Sequence, residues 1–79
     1  MIKKYFQLER KNIVMVQFII EGYEGLATVT TMDSQKAVIQ VSMMPDYISD
    51  LAGLLEYLKK RYAMKEIIDI KGNKINFKE

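Results

Sequence analysis

Polar chemistry is most concentrated at Glu21-Gly22-Tyr23-Glu24-Gly25, where two carboxylates and a phenol stand among two glycines. Glycines let a loop bring its backbone amides close to a ligand, and the two acids would add negative charge. The competing assignment is structural: Gly22 closes a helix as its left-handed cap, and Gly25 begins a tight entry into a strand. Two carboxylates with no third ligand and no neighbouring His make a weak divalent-cation site. Arg10, in the polar break Glu9-Arg10-Lys11-Asn12, could hold an anion, and Tyr5 could stack on a planar group. Tyr5, Arg10, Glu21, Gly22, Tyr23, Glu24 and Gly25 are therefore the candidate ligand or interaction residues. No catalytic set, metal site or cofactor is assigned.

The composition removes whole mechanisms. Among 79 residues there is no Cys and no His. Disulfides, thiolate metal sites and cysteine nucleophiles are thereby excluded, as are the usual general base at neutral pH and the commonest metal ligand. Any acid–base work would fall to groups such as Glu21, Glu24 or Tyr23, so a non-enzyme is expected. Net charge is +2, from twelve Lys and Arg against ten Asp and Glu. That modest excess favours solubility without announcing a polyanionic partner. Neither a secretory h-region nor an apolar run of spanning length is present, so a cytoplasmic protein with no membrane partner is expected.

The elements that must position these residues follow from periodicity. Ile2–Leu8 alternates as a strand, with Ile2, Phe6 and Leu8 on one face and Lys3, Tyr5 and Gln7 on the other. Ile13–Glu21 is rich in Ile and Val, as a central strand would be, yet Asn12 suits an N-cap and Gly22 a C-cap. The two end signals favour a short helix buried on most sides, with Ile13, Val16 and Ile20 on one stripe. Leu26–Met32 and Lys36–Met43 read as strands joined by a hairpin turn at Asp33-Ser34-Gln35. Pro45 and Asp46 open a second helix, in which Ile48, Leu51, Leu55, Leu58 and Tyr62 form one apolar stripe and Glu56 pairs with Lys60. Lys65–Ile70 reads as a final strand, Lys71–Lys74 as a turn, and 75–79 as a short tail or return strand.

The expected fold class is therefore α+β, a ferredoxin-like βαββαβ sandwich with a four-stranded antiparallel sheet and two helices on one face. One domain spans 1–79, with its core in about 2–70. If Ile13–Glu21 were a strand, a four-stranded meander with one helix would result. On the sandwich phasing the bare sheet face carries Lys3, Tyr5, Gln7, Val38, Gln40 and Ser42. A face or edge of that kind commonly pairs with its own copy, so a homodimer is expected. The six Met are read first as gap-filling side chains. The C-terminal cations (Lys59, Lys60, Arg61, Lys65, Lys71, Lys74 and Lys78) are interleaved with acids and read first as a solvated surface.

Two enzyme and RNA-binding precedents of this fold fit poorly. Acylphosphatases carry an Arg in the first strand–helix loop, with a Gly-rich loop there and an Asn on the adjacent strand; here the loop lacks Gly and the second strand offers Thr. RNA-binding modules stack bases on aromatics of the central strands, and only Tyr5 would serve.

The stretch Lys11–Ala27, followed by Val29-Thr30-Thr31-Met32-Asp33, resembles a family of short uncharacterised bacterial proteins, a domain of unknown function. The likeness runs from about Tyr5 to Leu58 and is most specific at Glu-Gly-Tyr-Glu-Gly-Leu-Ala; it implies a bacterial source and no known activity. At the level of fold the chain is also similar to ACT-like regulatory domains, which associate through their sheets and often bind amino acids at the first strand–helix loop. Their loop usually holds a Gly where this chain has Arg10-Lys11-Asn12. The expected function is a small non-catalytic ligand-binding, regulatory or protein-interaction module, homo-oligomeric, with a small-molecule or protein partner. The alternative is an RNA-associated accessory protein using the sheet face and the C-terminal cations; nucleic acid is the less favoured partner.

Overall fold

The computed structural model describes residues 1–67 and the backbone of 69–70 and 74–75. Strand β1 is Ile2–Gln7, helix α1 Ile13–Glu21, β2 Ala27–Asp33, β3 Val38–Met43, helix α2 Ile48–Arg61 and β4 Lys65–Ile67. The sheet runs β2-β3-β1-β4 with every pair antiparallel, which is the ferredoxin-like order. Phe6 stands opposite Ile39 on one side and Glu66 on the other, so β1 is central although it comes first in the sequence.

Alternation along the strands sends Phe6, Ile39, Val41, Met43, Ala27 and Val29 to one face, where they are buried with residues of both helices. Helix α1 contributes Ile13, Val16 and Ile20, and α2 contributes Leu51, Leu55 and Leu58. Spacings of three and four put each trio on one stripe, so each helix covers the sheet with a single side. The helical assignment of 13–21 holds against the strand alternative. The expected enclosure does not. Only one side of α1 meets the core, and Val14 and Phe18 stand outward.

The helix ends also differ from expectation. Asn12 makes no capping side-chain bond; it belongs to a 3-10 turn, Arg10–Asn12, in which its N–H donates to the Glu9 carbonyl at 2.9 Å. Gly22 has a right-handed φ of −81°, whereas Glu24 (φ 59°) and Gly25 (φ 65°) hold the left-handed positions. A second 3-10 turn, Pro45–Tyr47, leads into α2. That helix ends on Ala63 at φ 52°, with the Met64 N–H donating to the Lys59 carbonyl at 3.1 Å. The six-residue span of that bond and the left-handed Ala63 are the marks of a Schellman ending, made here without glycine.

Strand β3 starts at Val38 because Ala37 has φ 58° and belongs to the turn. Asp33 shapes that turn: its Oδ1 accepts the N–H groups of Gln35 (3.0 Å) and Lys36 (2.9 Å). Lys65–Ile70 is divided rather than continuous. Lys65–Ile67 joins the sheet, while Asp69–Ile70 (β5) pairs with Lys74–Ile75 (β6) in a separate hairpin. Of the expected turn Lys71–Lys74, Lys74 belongs instead to β6, while 71–73 and the tail at 76–79 lie outside the described residues.

Candidate functional site

The seven candidate residues do not converge on one site. Arg10 precedes α1 and Glu21–Gly25 follows it, so the helix holds them at opposite ends. Tyr5 lies on the sheet face turned away from both helices, in register with Gln40 and Ile67. Its hydroxyl accepts a bond from Gln40 Nε2 at 3.4 Å, and its ring is half-buried.

The Glu21–Gly25 segment is a chain reversal. Glu21 is the last helical residue, and its Oε2 accepts the N–H of Val29 at 2.9 Å. The Leu26 N–H donates to the Tyr23 carbonyl at 3.3 Å across Glu24 and Gly25, both at positive φ. Two consecutive left-handed centres closed by that bond fit a type I′ turn. Glu21 is thus engaged in holding β2, and Glu24 projects from the turn into solvent. Among the described residues no group of three or more acids assembles that could hold a metal ion.

The sheet face opposite the helices is less open than its pattern suggests. Val38 was expected to lie exposed there but is fully buried, and Ile67 is buried on the same face. Val38 stands opposite Gln7, whose Nε2 reaches the Lys36 carbonyl at 2.8 Å and crosses the strand end. Of the cations on the C-terminal side, Lys59 is held by Glu56 at 3.2 Å and Glu66 at 3.8 Å, and Arg61 lies 5.1 Å from the Tyr62 ring centre. Glu56 therefore pairs with Lys59, one residue before the expected Lys60, because Glu66 of β4 draws Lys59 to the sheet side. The side chains of Lys71, Lys74 and Lys78 lie outside the described residues.

Two features were not anticipated. Between β1 and α2 lies a shallow cavity of about 140 Å³ with Phe6, Met43, Ala52 and Leu55 in its walls. Lys4 and Glu66 border it and pair at 3.3 Å. The larger feature is the outer side of α1. Val14 is 76% exposed, Phe18 74% and Met15 49%, and no residue from Asn12 to Ile20 carries a charge. Solvent-facing helix surfaces are ordinarily charged, and this outer side instead carries three large apolar groups and no charge. The sequence held the signal. Ile13, Val16 and Ile20 satisfy the core, which leaves Val14, Met15 and Phe18 pointing elsewhere.

No helix among the described residues is long and apolar enough to cross a membrane. No curated protein and no solved structure matches the chain. A family model described as a domain of unknown function, DUF4911, matches residues 6–61, from the last two residues of β1 to the end of α2. The match takes in α1 with its exposed side, the Glu21–Gly25 reversal and the β2–β3 hairpin, and the chain belongs to that family.

Proposed function

We propose that this chain is a small non-catalytic protein-interaction module that docks through the outer side of α1. The observation that carries the proposal is the exposure of Val14 and Phe18 at 76% and 74% on a helix with no charge from residue 12 to 20. Leaving a Phe in water forgoes roughly 1.5–3 kcal/mol of burial, which a docked partner would recover. The absence of His and Cys from the sequence supports the non-catalytic part. A cytoplasmic setting belongs to the same proposal.

Photo-crosslinking in the native cell tests it. A benzophenone side chain at position 18 or 14 should give light-dependent polypeptide adducts, identified by mass spectrometry. The same group at position 57, exposed on α2, should give none. Adducts no stronger from positions 14 and 18 than from 57 would refute the docking surface. The cavity between β1 and α2 favours a second reading, binding of a small amphiphile with its apolar part on Phe6 and Leu55 and its polar end at Lys4 and Glu66. Ala52→Phe, which fills that space, should then abolish amide shift changes induced by short-chain amphiphiles.

A further inference from the structure

We infer that the occupant of the α1 surface is a second copy of this chain, packed with the two helices antiparallel about a two-fold axis near Gln17. The inference rests on the docking surface proposed above and adds the partner and its orientation. Lys11, Met15, Phe18 and Gly22 follow one another at spacings of four, three and four, and all are exposed. Within α1 that spacing sets Met15 and Phe18 side by side on the outer surface, with Lys11 and Gly22 just beyond its two ends. Gly22 adds no side chain beside Phe18, so a facing helix can approach there.

Charge placement selects the partner. Glu9, Arg10 and Lys11 lie before the uncharged stretch, with Lys11 paired to Glu9 at 3.6 Å, which leaves Arg10 as the available cation; Glu21 and Glu24 follow the stretch, with Glu21 holding the Val29 N–H, which leaves Glu24 as the available acid. A second copy laid parallel would set cation against cation and acid against acid. Laid antiparallel, each Arg10 meets the partner's Glu24, and the helix dipoles also oppose favourably. In the sequence Arg10 and Glu24 stand seven residues to either side of Gln17, and Val14 and Phe18 are centred one residue away, so the charged groups flank the two ends of α1 and the apolar ones lie about its middle. Neither Arg10 nor Glu24 has an ion-pair partner among the described residues. A self-complementary patch of this kind is what a two-fold interface requires. Three large side chains per copy fall short of the roughly 800 Å² per partner of a standard interface, so the dimer is a weak and reversible one.

Sedimentation equilibrium of the full chain, across about 1 to 500 μM, tests the dimer. The wild type should pass from monomer to dimer, and Phe18→Glu should stay monomeric with an unchanged far-ultraviolet spectrum. Arg10→Glu and Glu24→Arg should each weaken association by about tenfold, and the double variant R10E/E24R should recover it. A wild type that remains monomeric at the highest concentration overturns the inference. So does a dimer that survives Phe18→Glu, or a double variant no tighter than the single ones. A monomeric wild type whose position 18 still crosslinks to another protein would overturn the dimer alone and leave the docking surface standing.

Discussion

The Glu21 carboxylate accepts the backbone N–H of Val29 at 2.9 Å, fixing the last residue of α1 to the outer edge of β2. Among the described residues strand β2 pairs only with β3, so this N–H would otherwise be an open donor on the sheet edge. A hydrogen bond to a charged acceptor contributes about 1.5–3 kcal/mol, less where water can replace it. Glu21→Ala should therefore lower stability by about 1–2 kcal/mol, while Glu21→Gln, which keeps an acceptor oxygen, should lose less than half of that. Thermal unfolding followed by circular dichroism reads both. Equal losses in the two variants would mean that charge, not acceptance, matters.

The two sides of α1 should respond unequally to substitution. Ile20 is fully buried, and Ile20→Ala should cost about 2–5 kcal/mol in urea unfolding. Phe18→Lys and Val14→Lys, measured at concentrations where the chain is monomeric, should shift stability by less than about 0.5 kcal/mol. A large loss at Phe18 in the monomer would show that its ring belongs to the core.

Gly25, at φ 65°, is the glycine that the turn after α1 requires; Gly22, at φ −81°, is not. Gly25→Ala should destabilise by about 1–2 kcal/mol through left-handed strain. At Gly22 an added Cβ would meet the Phe18 carbonyl oxygen at 3.0 Å, a contact that a few tenths of an ångström relieves, so Gly22→Ala should cost less than Gly25→Ala. Comparing the two midpoints of denaturation decides the order.

Ala63 ends α2 at φ 52° and is exposed, so no packing offsets its strain. Ala63→Gly should raise stability by about 0.5–1 kcal/mol, visible as an increase of about 2–8 °C in the unfolding temperature. No gain would indicate that the lower entropy of Ala in the unfolded chain cancels the relief.

Periodicity made most of the sandwich legible before any coordinates. Phe6, Ile39 and Val41 alternate, and Leu51, Leu55 and Leu58 recur at helical spacing, because burial on one face imposes those periods directly. Asn12 and Gly22 pointed to the correct helix for the wrong local reasons. Capping depends on φ and on side-chain aim, which neighbouring 3-10 and type I′ turns reassigned without changing the sequence pattern. Val38 was misplaced because period two says which face a residue occupies and not what crosses above it; there the Gln7 amide spans the strand end. The candidate site was only adjacent to the strongest surface. Glu21–Gly25 drew notice for its chemistry, whereas Val14 and Phe18 became informative only once Ile13, Val16 and Ile20 were known to fill the core side.

The central position of β1 has a consequence for how the chain acquires its shape during synthesis. Phe6 must find Ile39 on one side and Glu66 on the other, and both closures span long stretches of chain. Strands β2 and β3, by contrast, are joined by a short turn and can pair as soon as both have left the ribosome. One flank of β1 then stays unpaired until Lys65–Ile67 emerges, and throughout that interval the nascent protein exposes an open strand edge.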